Sequence, residues 1–312
     1  MSYAIRAEGL VKRYGEMVAL DGVDLEVPAG KVIGLLGPNQ AGKTTIVRIL
    51  ATLLQPDGGH ATVGGYDVMK DPVRVRALIG LTGQDTSVDE SLSGRENLVS
   101  LGRLTDLSRR QATARAAELM DGFELADVAD HPVRTFSGEM RRRLDLAVSL
   151  VGRPQVLYLD EPTTGLDPHA RKKVWEVARR LMTEDCTVLL TTQYLEEADQ
   201  LADRITAIDH GRVVAEGSPE ELKRWVGGHR LQVRTTLLSD LDAVRPILAE
   251  LTGATPAHDP NAGLLTVPIA DPILVSALVR QLDRAGIGVD ELGLRLPSPD
   301  EVFLALTGQP AV

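Results

Sequence analysis

The sequence predicts an α/β fold: a mostly parallel sheet with helices on its faces, an antiparallel β subdomain ahead of it, a helical subdomain inserted into it, and a small α+β domain behind. Short β-branched runs alternate with helical patterns: KVIGLLG then GKTTIVRILATLL, QVLYLDEP then HARKKVWEVARRLM, TVLLTT then YLEEADQLAD. Parallel strands joined by crossover helices read this way. The runs VIGLL, VLYL and VLL lack polar alternation, as strands buried on both faces do. A glycine-rich turn, GPNQAGKTT, joins the first of these strands to its helix.

In chain order, AIRAEGLVKRY and VALDGVDLEVPAG read as short antiparallel strands with turns. From about residue 85 to 151 helical patterns dominate, including SGRENLVSLGRLTDL and SRRQATARAAELMDGF, and mark the inserted helical subdomain. VVAEGSPEELKRWVGG closes a capped helix that Ser218 and Pro219 start and Gly227 and Gly228 end. HRLQVRTT, a helix, GLLTVPIA, a second helix and VDELGLRLPSPDEVFLALTG then form the α+β accessory domain. The expected division is 1–228 and 229–312.

The 312 residues are 43% hydrophobic and carry a formal charge of −10, which argues against nucleic acid held on a general basic surface. The run Arg141–Arg143 reads as a partly solvated helix face. One cysteine, Cys186, excludes an intrachain disulfide and reads as a small buried side chain. Trp175 and Trp225, in helical patterns, read as packing residues. MSYAIRAEGLVKRYGE lacks the apolar run of a signal peptide. No stretch approaches the ~18 consecutive apolar residues of a membrane span, so if the chain works at a membrane another polypeptide must do the spanning.

GPNQAGKTT satisfies G-x-x-x-x-G-K-[ST] between a strand and a helix, the context this phosphate-binding P-loop requires. Gly37, Pro38 and Asn39 open the loop, Gln40, Ala41 and Gly42 turn it, and Lys43, Thr44 and Thr45 begin the helix. Backbone N–H groups and the helix N-terminus suit phosphates. Lys43 reaches the β- and γ-phosphates, and the Thr44 hydroxyl suits Mg²⁺. In VLYLDEPTTGLDP a buried strand delivers Asp160 and Glu161 to its C-terminal edge, where ligands of α/β sheets gather. Asp160 fits a Mg²⁺ shell, and Glu161 is placed as general base for a water. Together these motifs indicate a nucleoside triphosphatase.

FSGEMRRRLDLA, Phe136 to Ala147, resembles the signature sequence of ATP-binding cassette (ABC) ATPases and lies just ahead of the second motif, as in that family. LTGQD resembles its Q-loop at Gln84, GLDP its D-loop at Asp167, and Tyr14 matches the aromatic that stacks on adenine. The resemblance spans residues 3 to about 225. It implies ATP and Mg²⁺ as cofactors, with Thr44, Gln84 and Asp160 about the metal. It also implies a head-to-tail homodimer in which Ser137 and Gly138 of one subunit face the γ-phosphate held by the other, and a separate multi-span permease at the cytoplasmic face of the membrane. Nearer still, GLTGQDTSVDESLSGRENL, GEMRRRLDLA, LLTTQYLEEADQLADRI and LRLPSPDEVFLALTG are similar to the daunorubicin/doxorubicin-resistance ATP-binding subunits of actinobacterial drug exporters. That likeness implies the ATP-hydrolysing subunit of an exporter for drugs or other hydrophobic small molecules. Two other readings stay open: a soluble ABC ATPase without a transport role, and a weakly hydrolysing nucleotide-dependent regulator.

Three residues depart from the family pattern. Gln193, at the end of TVLLTT, stands at the switch position that usually holds a histidine; its amide can orient a phosphate or a water but cannot become cationic. Gln40 replaces a glycine of the phosphate loop and would cost about 1 kcal/mol if its φ is positive. Glu139 replaces the second signature glycine. Its carboxylate should repel a γ-phosphate unless it pairs with Arg142 or Arg143 along the helix, or with Gln40 across the dimer.

Overall fold

A computed structural model of the chain describes residues 2–82, 88–181, 186–225, 229–259, 263–269 and 273–295. The chain runs β1 (Tyr3–Tyr14), β2 (Met17–Pro28), β3 (Val32–Leu36), α1 (Lys43–Leu50), β4 (Gly58–Val63), β5 (Tyr66–Asp67), α2 (Pro72–Leu78) and β6 (Ile79–Thr82). Three helices follow, α3 (Gly94–Leu104), α4 (Arg109–Gly122) and α5 (Gly138–Ser149), and then β7 (Val156–Asp160), α6 (Pro168–Leu181), β8 (Thr187–Thr192), α7 (Leu195–Leu201), β9 (Arg204–Asp209) and β10 (Arg212–Gly217). After α8 (Pro219–Trp225) come β11 (His229–Thr235), α9 (Leu241–Thr252), β12 (Ala257–Asp259), β13 (Leu264–Ile269), α10 (Leu274–Ala285) and β14 (Val289–Arg295).

The central sheet has the order β10-β9-β3-β8-β7-β6. Every pairing from β9 to β6 is parallel, and β10 adds an antiparallel edge. Its strands divide their side chains between two cores. Tyr158 and Leu189 pack with α1 and the antiparallel sheet, while Leu157, Leu159, Val188 and Leu190 pack with the helices of the other face. Both faces are therefore apolar, which is why VLYL and TVLL do not alternate. The β3–β8 register sets Leu36 beside Thr192 and the β7–β8 register sets Asp160 beside Thr191, so all three strands end at one edge.

The antiparallel sheet, order β2-β1-β4-β5, corrects one expectation. Its first two strands are twelve residues each rather than short. Register shifts at several points let the β1–β2 hairpin continue, since each bulge bends and twists the ribbon without ending it. The helical subdomain forms as expected. Ser93 with Glu96 and Ser108 with Gln111 close capping boxes at the starts of α3 and α4, satisfying helix N–H groups that would otherwise lack partners.

The chain's contacts divide it between Pro219 and Glu220, so α8 groups with the second unit, nine residues ahead of the boundary read from sequence. That second unit is a β-α-β-β-α-β arrangement with strand order β12-β13-β11-β14, an antiparallel ferredoxin-like sheet. Leu231, Val233, Leu265 and Val267 meet Val244, Leu248, Leu278 and Leu282 in its core. The three-residue β12, AHD, escapes the sequence reading because it carries no β-branched or aromatic run. Gly227, Gly228 and the segment PSPDEVFLALTG lie outside the described residues.

Candidate nucleotide site

At the end of β3 the Gly37 N–H donates to the Thr192 carbonyl at 3.2 Å, and the Ala41 N–H closes a turn onto the Pro38 carbonyl at 3.2 Å. Gln40 (φ 69°) and Gly42 (φ 108°) hold left-handed backbone. A Cβ on Gly37 would lie 2.2 Å from the Ile208 carbonyl oxygen, and one on Gly42 2.7 Å from the Ala19 carbonyl oxygen, so at both places only glycine lets the loop approach this closely. Lys43 follows as the first residue of α1, 4% exposed. Its Nζ donates to the carbonyls of Gly37 (2.8 Å) and Pro38 (2.9 Å) and lies 3.2 Å from Glu161 Oε1. Burial lowers the lysine pKa and the neighbouring Glu161 pulls it back up. Tyr14, Asn39, Gln40, Lys43, Thr44 and Glu161 line a cavity of about 390 Å³, inside the ~300–1,000 Å³ range of small-molecule sites.

Asp160 ends β7 at 4% exposure. Its Oδ1 accepts from the hydroxyls of Thr191 (2.5 Å) and Thr44 (3.2 Å). A hydroxyl and a carboxylate meeting at the mouth of a phosphate loop are hard oxygen donors of the kind Mg²⁺ takes, together with substrate phosphate and water. Glu161, 7% exposed, sits in left-handed backbone at φ 50°. Its N–H is shared between the Thr191 carbonyl (3.1 Å) and hydroxyl (3.0 Å), and its Oε2 accepts from Thr164 at 3.1 Å.

Of the other predicted residues, Tyr14 lines this cavity and the rest lie apart from its lining or outside the described residues. Tyr14 is half-exposed on its rim, with the Lys12 ammonium 5.8 Å from the ring. Gln193 follows β8 at the same sheet edge, half-buried, and among the described residues its amide has no hydrogen-bond partner. Its partial exposure means water can serve it, so burial imposes no demand there. Ser137 is the N-cap of α5, accepting from the Met140 N–H at 3.2 Å, and Gly138 has open space about it. Neither lines the cavity, and both are exposed. The Asp167 carboxylate caps α6 through the N–H groups of His169 (2.9 Å) and Ala170 (3.0 Å), which holds its pKa below the usual carboxylate value. Gln84 lies outside the described residues. Cys186 is buried, and burial pushes its thiol pKa up to about 11.

The three arginines of the run are half-buried, as a partly solvated face is, but each also has a specific partner. Arg141 Nη1 bonds Glu90 at 2.7 Å. Arg142 donates from Nε to the Pro162 carbonyl and from Nη2 to the Glu161 carbonyl at 2.5 Å. Arg143 Nη2 lies 3.2 Å from Glu139 Oε1, and its Nη1 reaches the Phe123 carbonyl at 3.1 Å. Helical phase carries the signal that a charge count misses: Arg142, Asp145, Leu146 and Ser149 share one face, and the last three are buried.

The acid-rich start of α7 holds another unforeseen group. Glu197, 1% exposed, accepts at Oε1 from the Thr163 hydroxyl (2.8 Å) and the Trp175 indole N–H (2.8 Å). Trp175 is thus a packing residue that also carries a hydrogen bond. Arg171 lies over the Tyr194 ring at 3.9 Å.

The family model described as ABC transporter matches residues 20–164. Daunorubicin resistance ATP-binding protein DrrA2 of Streptomyces coeruleorubidus is 52% identical over 98% of this chain and 95% of its own length. The chain belongs to the ABC transporter ATP-binding family. It is an ATP-binding subunit with the ATPase cassette of those transporters. Daunorubicin/doxorubicin resistance ATP-binding protein DrrA of Streptomyces peucetius is 53% identical, covering 99% of this chain and 93% of that protein. The Nod factor export ATP-binding protein I of Rhizobium sp. (strain N33) is 38% identical, over 98% and 97%. Among solved structures, an ATP-binding cassette of an ABC transporter in its ADP conformation superposes with a TM-score of 0.64 at 24% identity, over 71% of this chain and 93% of that one. A dimeric cassette bound to ADP and Pi gives 0.63 at 24%, over 69% and 98%. At those identities the likeness concerns the fold.

Proposed function

We propose that this chain is the ATP-hydrolysing subunit of an exporter for drugs or other hydrophobic small molecules, seated at the cytoplasmic face of the membrane on a separate multi-span permease. The names of its relatives, daunorubicin and doxorubicin resistance and Nod factor export, support the substrate class. Among the described residues no helix is long and apolar enough to cross a membrane, so crossing falls to the partner. Two copies close head to tail on ATP, which brings Ser137 and Gly138 of one to the phosphate loop of the other.

The observation that carries this reading is the buried Lys43, held by two loop carbonyls and facing Glu161 across 3.2 Å. Lys43 and the loop N–H groups bind the β- and γ-phosphates, Tyr14 faces the base, and Thr44 and Asp160, with Gln84, hold Mg²⁺. When bound, the metal would supply charge neutralisation on the phosphates. Glu161 takes the proton of the attacking water, and Gln193 orients that water and the phosphate without titrating. Asp167 shapes the turn into α6.

Glu161→Gln tests the assignment. The amide keeps the shape and loses the base, so turnover should fall by about 10²–10⁴ while ATP still binds, read by steady-state hydrolysis and equilibrium ATP binding. Turnover at the parent rate removes Glu161 from the role.

A further inference from the structure

We propose that Arg142 is a positioning residue for the hydrolytic carboxylate: its guanidinium clamps the consecutive carbonyls of Glu161 and Pro162 and fixes the turn that aims the Glu161 side chain. The inference rests on Glu161 acting as base.

The backbone at Glu161 needs such a device. A non-glycine residue at φ 50° persists only where the surroundings over-determine it, at a cost of about 1–3 kcal/mol. The strand side is already fixed, because the Glu161 N–H has both Thr191 acceptors. The far side is fixed by Arg142, which donates from Nε to Pro162 and from Nη2 to Glu161. Two donors in one rigid plane meet two successive carbonyls, and that geometry is particular to guanidinium. A lysine ammonium is a single point on a flexible stem and cannot hold both in fixed relation.

Electrostatics keep Arg142 in place. Burial lowers its pKa, and Asp145, Glu197, Asp160 and Glu161 draw it back. Its two neighbours in the run reach elsewhere, Arg141 to Glu90 and Arg143 to Glu139 and the carbonyl ending α4. Arg142 also rides on α5, five residues past the N-cap Ser137. The serine expected to meet the partner's nucleotide and the clamp on the chain's own base therefore share one helix, so a shift of α5 moves the Glu161–Pro162 turn directly.

Arg142→Met and Arg142→Lys, each made alone and in the Glu161→Gln background, test this by kcat, KM for ATP, equilibrium ATP binding and thermal unfolding. The expected result for Arg142→Met is a kcat loss of about tenfold or more, since a misplacement near 1 Å can cost ~10², with KM and ATP affinity within about threefold. Arg142→Lys should fall between Met and the parent, and it supplies the reading if Arg142→Met does not fold. In the Glu161→Gln background either substitution should cost almost nothing further, because a residue acting through another has no effect once that other is gone. The proposal is overturned if the same fold-loss persists in that background, or if kcat, ATP affinity and melting temperature fall together. Parent-like turnover of Glu161→Gln itself is a separate result that sinks the base assignment whatever Arg142 does.

Discussion

Gln40 holds φ 69° in an exposed part of the phosphate loop, where an L side chain costs about 1–2 kcal/mol relative to right-handed backbone. Glycine there would relieve the strain and give back part of the gain as unfolded-chain entropy, about 0.4–1 kcal/mol. Gln40→Gly should therefore raise the melting temperature of the nucleotide-free protein by up to a few degrees; a fall would mean that the glutamine side chain makes a contact outweighing its strain. Asp145 gives a pH-dependent counterpart. It is 6% exposed, its Oδ1 has no hydrogen-bond partner, and burial pushes its pKa from 3.8 up to about 6 against the pull of Arg142 and Arg141. The folded chain thus binds this proton more tightly than the unfolded chain, and the Asp145 contribution to stability falls as pH rises from about 4 to about 6. Asp145→Asn should be the more stable protein at pH 8 by about 1–3 kcal/mol, with the advantage shrinking below pH 6 and gone near pH 4. Denaturant midpoints across that range check it, and a pH-independent difference would refute it.

Between α6, α7 and the turn after β7, one buried carboxylate ties three segments together. Glu197 receives hydrogen bonds from Thr163 in the turn and Trp175 on α6, and burial raises its pKa although Thr192, Thr163 and Trp175 oppose the shift. Glu197→Ala would leave a buried hydroxyl and a buried indole N–H without their acceptor, at about 1–3 kcal/mol each. Glu197→Gln keeps an acceptor oxygen and should retain most of the stability. Equal melting temperatures for the two variants would dismiss the hydrogen bonds as the cause. This carboxylate also marks how far the sequence could be read. The alternation of strand and helix, the phosphate loop and the Asp160–Glu161 strand end were legible because each is local: spacing, glycine and strand propensity within a dozen residues. Thr191, Thr163, Arg142 and Glu197 were not, because their partners are 19 to 34 residues away and only tertiary packing brings them together. Twelve-residue β1 and β2 were underestimated for a related reason, since glycines that break a strand pattern locally sit here in register shifts that the partner strand absorbs.

Across the whole chain, a formal charge of −10 means that two copies approaching each other repel, and bound nucleotide adds to it. In the head-to-tail closure proposed above, this repulsion would have to be overcome at the exposed N-terminus of α5, where Ser137 and Gly138 are followed by Glu139. Sequence alone leaves that carboxylate either set against a γ-phosphate or paired with Arg142, Arg143 or Gln40; in the structure its partner is Arg143, with Nη2 at 3.2 Å and the two side chains 22% and 12% exposed. Removing one member of such a half-buried pair leaves the other charge less compensated than at an exposed site, and an acid in the first turn also favours the helix. Glu139→Gly should accordingly lower the melting temperature without nucleotide, through the lost pair and about 1 kcal/mol of glycine propensity. It should still strengthen ATP-driven dimerisation, because pairing reduces the field of a carboxylate at the interface without abolishing it, but by less than about tenfold in the dimer dissociation constant. The measurement is sedimentation or light scattering on Glu161→Gln protein held in ATP, with and without Glu139→Gly, at low and high salt. The Debye length falls from ~30 Å at 0.01 M to ~3 Å at 1 M, so both proteins should associate more readily at high salt and the gap between them should close. No gap at low salt would mean that Arg143 has already neutralised Glu139 as seen from the partner, and repulsion would then play no part in closure.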